Sequence, residues 1–216
     1  MARVSAGPTP RARRAYTSPR RQQQAAETRA AVLAAAVALF SDKGWVATGV
    51  RDVAAAAGVS VETVYANFGS KADLLMAAMD VAVAGDALPV PLAGRAEFTA
   101  LGEGTLAQRA AAAARLVTRV HARTAGIYLA LGEAAAADPG LAGRMRASEQ
   151  LRQVSVEQGM ALVAGRPVTP RERDGVWAIT GVDVYRLLTG LAGWPREEYQ
   201  AWLAGVLVRL LGGGSG

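Results

Sequence analysis

From Ala25 to the C-terminal glycines, apolar residues recur three and four positions apart, and the breaks fall at glycine, proline and capping sequences. That spacing places side chains on one face of an α-helix, and little of the chain alternates as a strand requires. Alanine, the strongest helix former, fills many positions between. The pattern predicts a helix over 25–42 with Val32, Leu33, Ala36, Leu39 and Phe40 inward and Gly44 as its C-terminal cap. Thr48 is placed to cap a short helix over 49–57 that Gly58 stops, and Ser60 to cap another over 61–67 that Gly69 ends. Ser70-Lys71-Ala72-Asp73 opens a helix to 84. After the break from Gly85 to Gly94, Thr105-Leu106-Ala107-Gln108 opens a helix over 106–124, and a further helix covers 126–137. Asp138-Pro139 starts a long one to 164, Thr169-Pro170-Arg171-Glu172 one to 191, and Pro195 the last, to 211. The expected fold is all-α, with about nine helices.

Composition narrows the chemistry. The chain has 216 residues, no cysteine and one histidine, so a disulfide framework, a thiolate nucleophile and a His/Cys zinc site are excluded. No metal or cofactor is expected, and an enzyme is disfavoured: there is no phosphate loop and no paired-carboxylate motif. No run of about 18 uncharged apolar residues exists to span a membrane, and no apolar leader precedes the first helix. A cytoplasmic protein is expected. The net charge is +6, and all of it lies in residues 1–29, where seven arginines face one acid, Glu27. Such a block stays solvated or neutralises phosphate. Residues 1–24, with Pro8, Pro10 and Pro19, read as a disordered basic arm.

Two helices of two turns joined through Ala57-Gly58-Val59-Ser60 match a helix-turn-helix, whose second helix has the width of the B-DNA major groove. The surrounding residues are more specific. They run Arg29-x-x-Val32-Leu33-x-Ala35-Ala36-x-x-Leu39-Phe40-x-x-x-Gly44, then Thr48-x-Val50-Arg51-Asp52-Val53-Ala54-x-x-Ala57-Gly58-Val59-Ser60, then Thr63-Val64-Tyr65-x-Asn67-Phe68-x-Ser70-Lys71-x-x-Leu74-Leu75. This stretch closely resembles the DNA-binding domain of the TetR family of bacterial transcriptional regulators. Trp177, Tyr185-Arg186-Leu187-Leu188, Trp194 and Tyr199-x-x-Trp202 resemble, less closely, the last two helices of the same family.

With the resemblance, the expected division is a helix-turn-helix domain of three helices and a connecting helix over 25–84 and a helical ligand-binding and dimerisation domain over 105–211; the Gly/Pro break makes 85–104 a linker, and the glycines make 212–216 a flexible tail. The resemblance implies a homodimer on a near-palindromic duplex operator. Carried over by position, Thr48 and Arg51 meet phosphate; Ser60, Val61, Glu62, Thr63 and Ala66 line the front of the recognition helix; Tyr65, Asn67 and Lys71 hold flanking phosphates. These roles are physically apt: helix N-termini suit phosphate oxygens, Val61 and Ala66 suit thymine methyls, and Glu62 suits cytosine N4. Gly49 and Asn67 depart from the family pattern, where a hydroxyl residue and a histidine are frequent.

In the C-terminal half, His121, Tyr128, Met145, Met160, Trp177 and Tyr185 are candidates to line a pocket for a small-molecule effector, with core packing as the competing role. The helices over 170–191 and 196–211, carrying Leu187, Leu188, Leu191, Trp202, Leu203 and Val206, are the expected dimer interface. The function expected is a ligand-released repressor; the alternative is an effector-independent, architectural DNA-binding protein with a packed C-terminal core. If the arginine arm touches DNA, removing residues 1–21 lowers the slope of log K against log salt, by about 0.9 for each phosphate that the arm had neutralised. Binding anisotropy over a salt series checks this, and an unchanged slope makes the arm a bystander.

Overall fold

The computed structural model describes residues 19–88 and 90–213, and no strand occurs among them. The expected arm at 1–18 and the tail at 214–216 lie outside the described residues. Helix α1, Pro19–Lys43, begins six residues before the predicted start, with Pro19 at its first position and residues 20–27 exposed. Proline needs no hydrogen-bond partner there, and Gln22 to Ala26 are good helix formers. Val32, Leu33, Ala36 and Phe40 are buried. Gly44 ends the helix at φ 76°, its N–H on the carbonyl of Phe40 at 3.1 Å.

Helices α2 (Val50–Ala57) and α3 (Val61–Phe68) follow, turned at Gly58 in the left-handed region. Ser60 caps α3 by accepting from the N–H of Thr63. The cap of α2 is Gly49, not Thr48: the Asp52 carboxylate accepts from the Gly49 N–H at 2.8 Å. Ser70 caps α4, Lys71–Ala84. A single helical turn at Ala96–Thr99, between tight turns at Leu92–Gly94 and Ala100–Gly102, bridges to the second half.

Helix α5, Leu106–Ala137, is one helix of 32 residues where two were predicted. At 1.5 Å per residue it is about 48 Å long. Gly126 does not interrupt it because its missing side chain serves packing: a Cβ there would stand 2.8 Å from Ser41 of α1. Asp138 and Pro139 then open α6, Pro139–Ala164, as predicted. The helix expected over 170–191 divides into α7 (Pro170–Ile179) and α8 (Val182–Arg186, continuing as a wide turn to Leu191). The break falls at Thr180-Gly181, and its freed carbonyls find partners: His121 Nε2 lies 2.8 Å from the Thr180 oxygen, and Arg152 donates to that of Trp177 at 3.2 Å. Helix α9 is Arg196–Gly212.

Two apolar cores form, and they do not divide at the linker. The first joins Val32, Phe40, Val53, Val64 and Leu74 to Ile127, Leu131 and Ala134 of α5 and Leu141 of α6. The second joins Ala110, Ala114 and Leu116 of α5 to Met160, Val176, Tyr185, Tyr199 and Leu203. Helix α5 therefore passes through both. No helix among the described residues is long and apolar enough to cross a membrane.

The two glycines of α5 should respond oppositely to a side chain. Gly126→Val drives branched carbons into Ser41 and costs about 1–3 kcal/mol. Gly132→Ala, with nothing within 4 Å of the new methyl, gains about 0.5–1 kcal/mol from helix propensity. Thermal unfolding of the two variants checks the signs.

Candidate nucleic-acid interface

Eight residues of α3 form two turns, too short to persist alone. Val64 and Phe68 anchor them in the first core, which leaves the opposite side to solvent. On that side Glu62, Tyr65, Ala66 and Asn67 are exposed, with Tyr65 at 49%. Tyr65 is thus no core aromatic. Ser60 and Thr63 share a hydroxyl contact of 3.1 Å at the N-terminus of the helix. Hydrogen bonds from its own backbone N–H and from Ser60 hold the Glu62 carboxyl below its ordinary range, so it stands charged as an acceptor. Arg51 is exposed on neighbouring α2, and Arg20, Arg21 and Arg29 on α1.

Four expected contact residues are placed differently. Thr48 is fully buried, with its hydroxyl on the carbonyls of Gly44 (2.8 Å) and Leu39 (3.1 Å). Val61 packs partly against the first core. The side-chain amide of Asn67 donates back to the Thr63 carbonyl at 2.8 Å. Lys71 places its ammonium 2.6 Å from the Trp45 carbonyl and 4.0 Å from the centre of that ring, and burial lowers its pKa.

Trp45 was not among the sequence candidates, although it ties the module to the rest of the chain. Its N–H donates to Glu133 of α5 at 2.9 Å, and its ring stacks on Phe40. Arg144 of α6 pairs with Asp73 of α4 at 2.8 Å. Arg123 of α5 donates to the carbonyls of Ala82 and Val83 at the end of α4. These partners are 40 to 88 residues apart, so no local sequence signal marks them. Arg29 is the other omission: it donates to the Asn67 carbonyl at 3.1 Å and lies 4.3 Å over the Phe68 ring.

The six candidate pocket residues do not come together. Met145 packs on the first core, Met160 and Tyr185 belong to the second, and Tyr128 is half-buried. Among the described residues a surface cleft of about 490 Å³ lies beside Arg95 and Arg123 and one of about 620 Å³ beside Val154 and Val168, and none of the six lines either. His121 and Tyr185 are neighbours, with ring centres 5.6 Å apart. The Thr180 carbonyl can only accept, so His121 Nε2 carries the proton. Its Nδ1, the Trp177 Nε1 and the Tyr199 hydroxyl are then buried without partners among the described residues. Tyr199, in that group, was not a sequence candidate.

Residues 32–78 match the model of "Bacterial regulatory proteins, tetR family". No curated protein sequence matches the chain significantly. Among solved structures, a TetR-family transcriptional regulator of Rhodococcus is similar at 20% identity and a TM-score of 0.65, over 86% of this chain and 98% of that one. One from Syntrophomonas wolfei is similar at 19% identity and 0.61, over 87% and 96%. A transcriptional regulator of Rhodococcus sp. Rha1 is similar at 21% and 0.60, over 86% and 96%. At these identities the likeness is one of fold.

Burial lowers the pKa of His121 from 6.5 to about 4. Between those values the unfolded chain takes up a proton that the folded chain refuses, so stability falls as pH drops from about 6.5 to about 4, by roughly 3 kcal/mol in all. His121→Gln, which cannot titrate, should flatten that part of the curve in denaturant unfolding at several pH values.

Proposed function

We propose that the chain is a regulator of the TetR family, whose model it matches over residues 32–78, and that it acts as a homodimeric, cytoplasmic repressor released from a near-palindromic operator by a small molecule. DNA-binding regulation is the family's activity. The single observation that carries the finer reading is the path of α5, whose first half lies in the second core and whose second half lies in the core that supports α3. A ligand that displaced α5 in one core would move it in the other, and with it the helix-turn-helix.

In this reading α3 enters the major groove with Ser60, Glu62, Thr63 and Ala66 toward the bases, while Arg51 and Tyr65 approach the backbone. The effector site involves His121, Trp177 and Tyr199, whose unpartnered polar atoms a ligand would satisfy, with Tyr185 stacked between His121 and Tyr199. Dimerisation falls to α8 and α9, where Leu187 is 57% and Leu191 83% exposed beside half-buried Leu188, Trp202 and Val206. Leu203 is fully buried within the protomer and takes no part.

One observation favours the effector-independent alternative: neither cleft is lined by the candidate pocket residues. Selection from random duplex DNA, followed by anisotropy on the enriched site, tests the main reading. Two half-sites one helical turn apart (about 34–36 Å), bound by a dimer, are the expected result. Binding without sequence preference would exclude the repressor. A compound that raises Tm and weakens operator binding would separate the ligand-released protein from the architectural one.

A further inference from the structure

The C-terminal end of α3 poses an electrostatic problem for a helix lying along DNA. Its last carbonyls carry the negative end of the helix dipole, so a phosphate brought near them is repelled unless a cation intervenes. Two of the three residues assigned there by resemblance have a donor engaged within the chain: an N–H of the Asn67 amide goes to the Thr63 carbonyl, and the Lys71 ammonium to the Trp45 carbonyl and ring. The third, Tyr65, is neutral.

A cation nevertheless stands at that end, supplied by α1. Arg29 donates one N–H to the Asn67 carbonyl at 3.1 Å and lays its guanidinium 4.3 Å over the ring of Phe68. The residue is exposed, and among the described residues no carboxylate pairs with it. A guanidinium has five N–H donors in one plane. Stacking on a ring spends its face and leaves its edges, and the bond to Asn67 spends one of the five. The remaining edge is a preorganised donor for an anion, set in a fixed orientation and already neutralising the helix end beneath it.

We propose that Arg29 makes a DNA phosphate contact beside the C-terminal end of α3, taking the place of the Asn67 amide and the Lys71 ammonium. This rests on the DNA-binding reading. The guanidinium does two things through one plane: it holds the end of the recognition helix to α1, and it presents its free edge to the backbone of the duplex. Lys71, by contrast, is a strut between α4 and the loop after α1.

Salt dependence separates these roles, because only a group that displaces counterions from phosphate contributes to the slope. The full-length protein and its Arg29→Gln, Arg29→Lys and Lys71→Gln variants are titrated on the selected operator by anisotropy, from low to moderate salt, with Tm measured for each. Arg29→Gln should lower the slope by about 0.9 per bound protomer. Arg29→Lys, which keeps the charge, should retain most of the wild-type slope. Lys71→Gln should leave the slope unchanged and lower Tm.

Equal losses of affinity in both Arg29 variants, with the wild-type slope kept, would make Arg29 a positioning residue only and overturn the assignment. So would a fall in slope on Lys71→Gln at unchanged Tm. A wild-type protein that binds no duplex would overturn the DNA-binding reading and this assignment together, an outcome distinct from either of the others.

Discussion

The close approach of Gly126 to Ser41 is the constraint on which the rest of the architecture rests. Because a Cβ at 126 would come within 2.8 Å of Ser41, α1 and α5 pack at the distance that only a bare backbone allows. That contact brings Ile127, Leu131 and Ala134 into the core built by α1 to α4. The other end of the same helix contributes Ala110, Ala114 and Leu116 to the second core. A helix of this length is stiff over a few turns, so a displacement in one core is carried to the other, where interdigitated side chains resist partial accommodation.

Polar ties concentrate at the same junction. The Trp45 peptide is held from both sides, its N–H by Glu133 and its carbonyl by Lys71. Arg144 of α6 and Asp73 of α4 form a second link. Both partners of that pair are more than two-fifths exposed, so it contributes little energy and acts chiefly to fix geometry. The Glu133 bond is to a backbone group beside Gly44, at the point where α1 ends. The helix-turn-helix is thus connected to the C-terminal helices through α1 and α4, while α2 and α3 stay free to meet a partner.

The capping sequences were legible because a cap is a local event. Ser60, Ser70, Thr105, Asp138 and Thr169 each satisfy N–H groups two or three residues ahead, and each starts a helix where its sequence places it. Thr48 misled for the same reason: its hydroxyl is of the right type and nearly in the right place, but a buried route back to Gly44 and Leu39 claims it. Gly126 and Gly181 show the limit from the other side. The first stands where the sequence reading parts two helices and is a contact within one; the second lies within a continuous helical pattern and marks a break, because His121 and Arg152 supply partners for the carbonyls it frees.

What the sequence determined by itself was the alphabet of helices and the helix-turn-helix module, since periodicity, caps and a turn at Gly58 depend only on neighbours a few residues apart. Which residues of that module are available to a partner was decided in three dimensions. Lys71 and Asn67 carry suitable donors in sequence, yet Trp45 and Thr63 take them up, while Arg29 reaches the end of α3 from 38 positions away. The physical reason is that a donor is used by whichever acceptor packing places within about 3 Å of it, and packing between α1, α4 and α5 is a property of the whole chain.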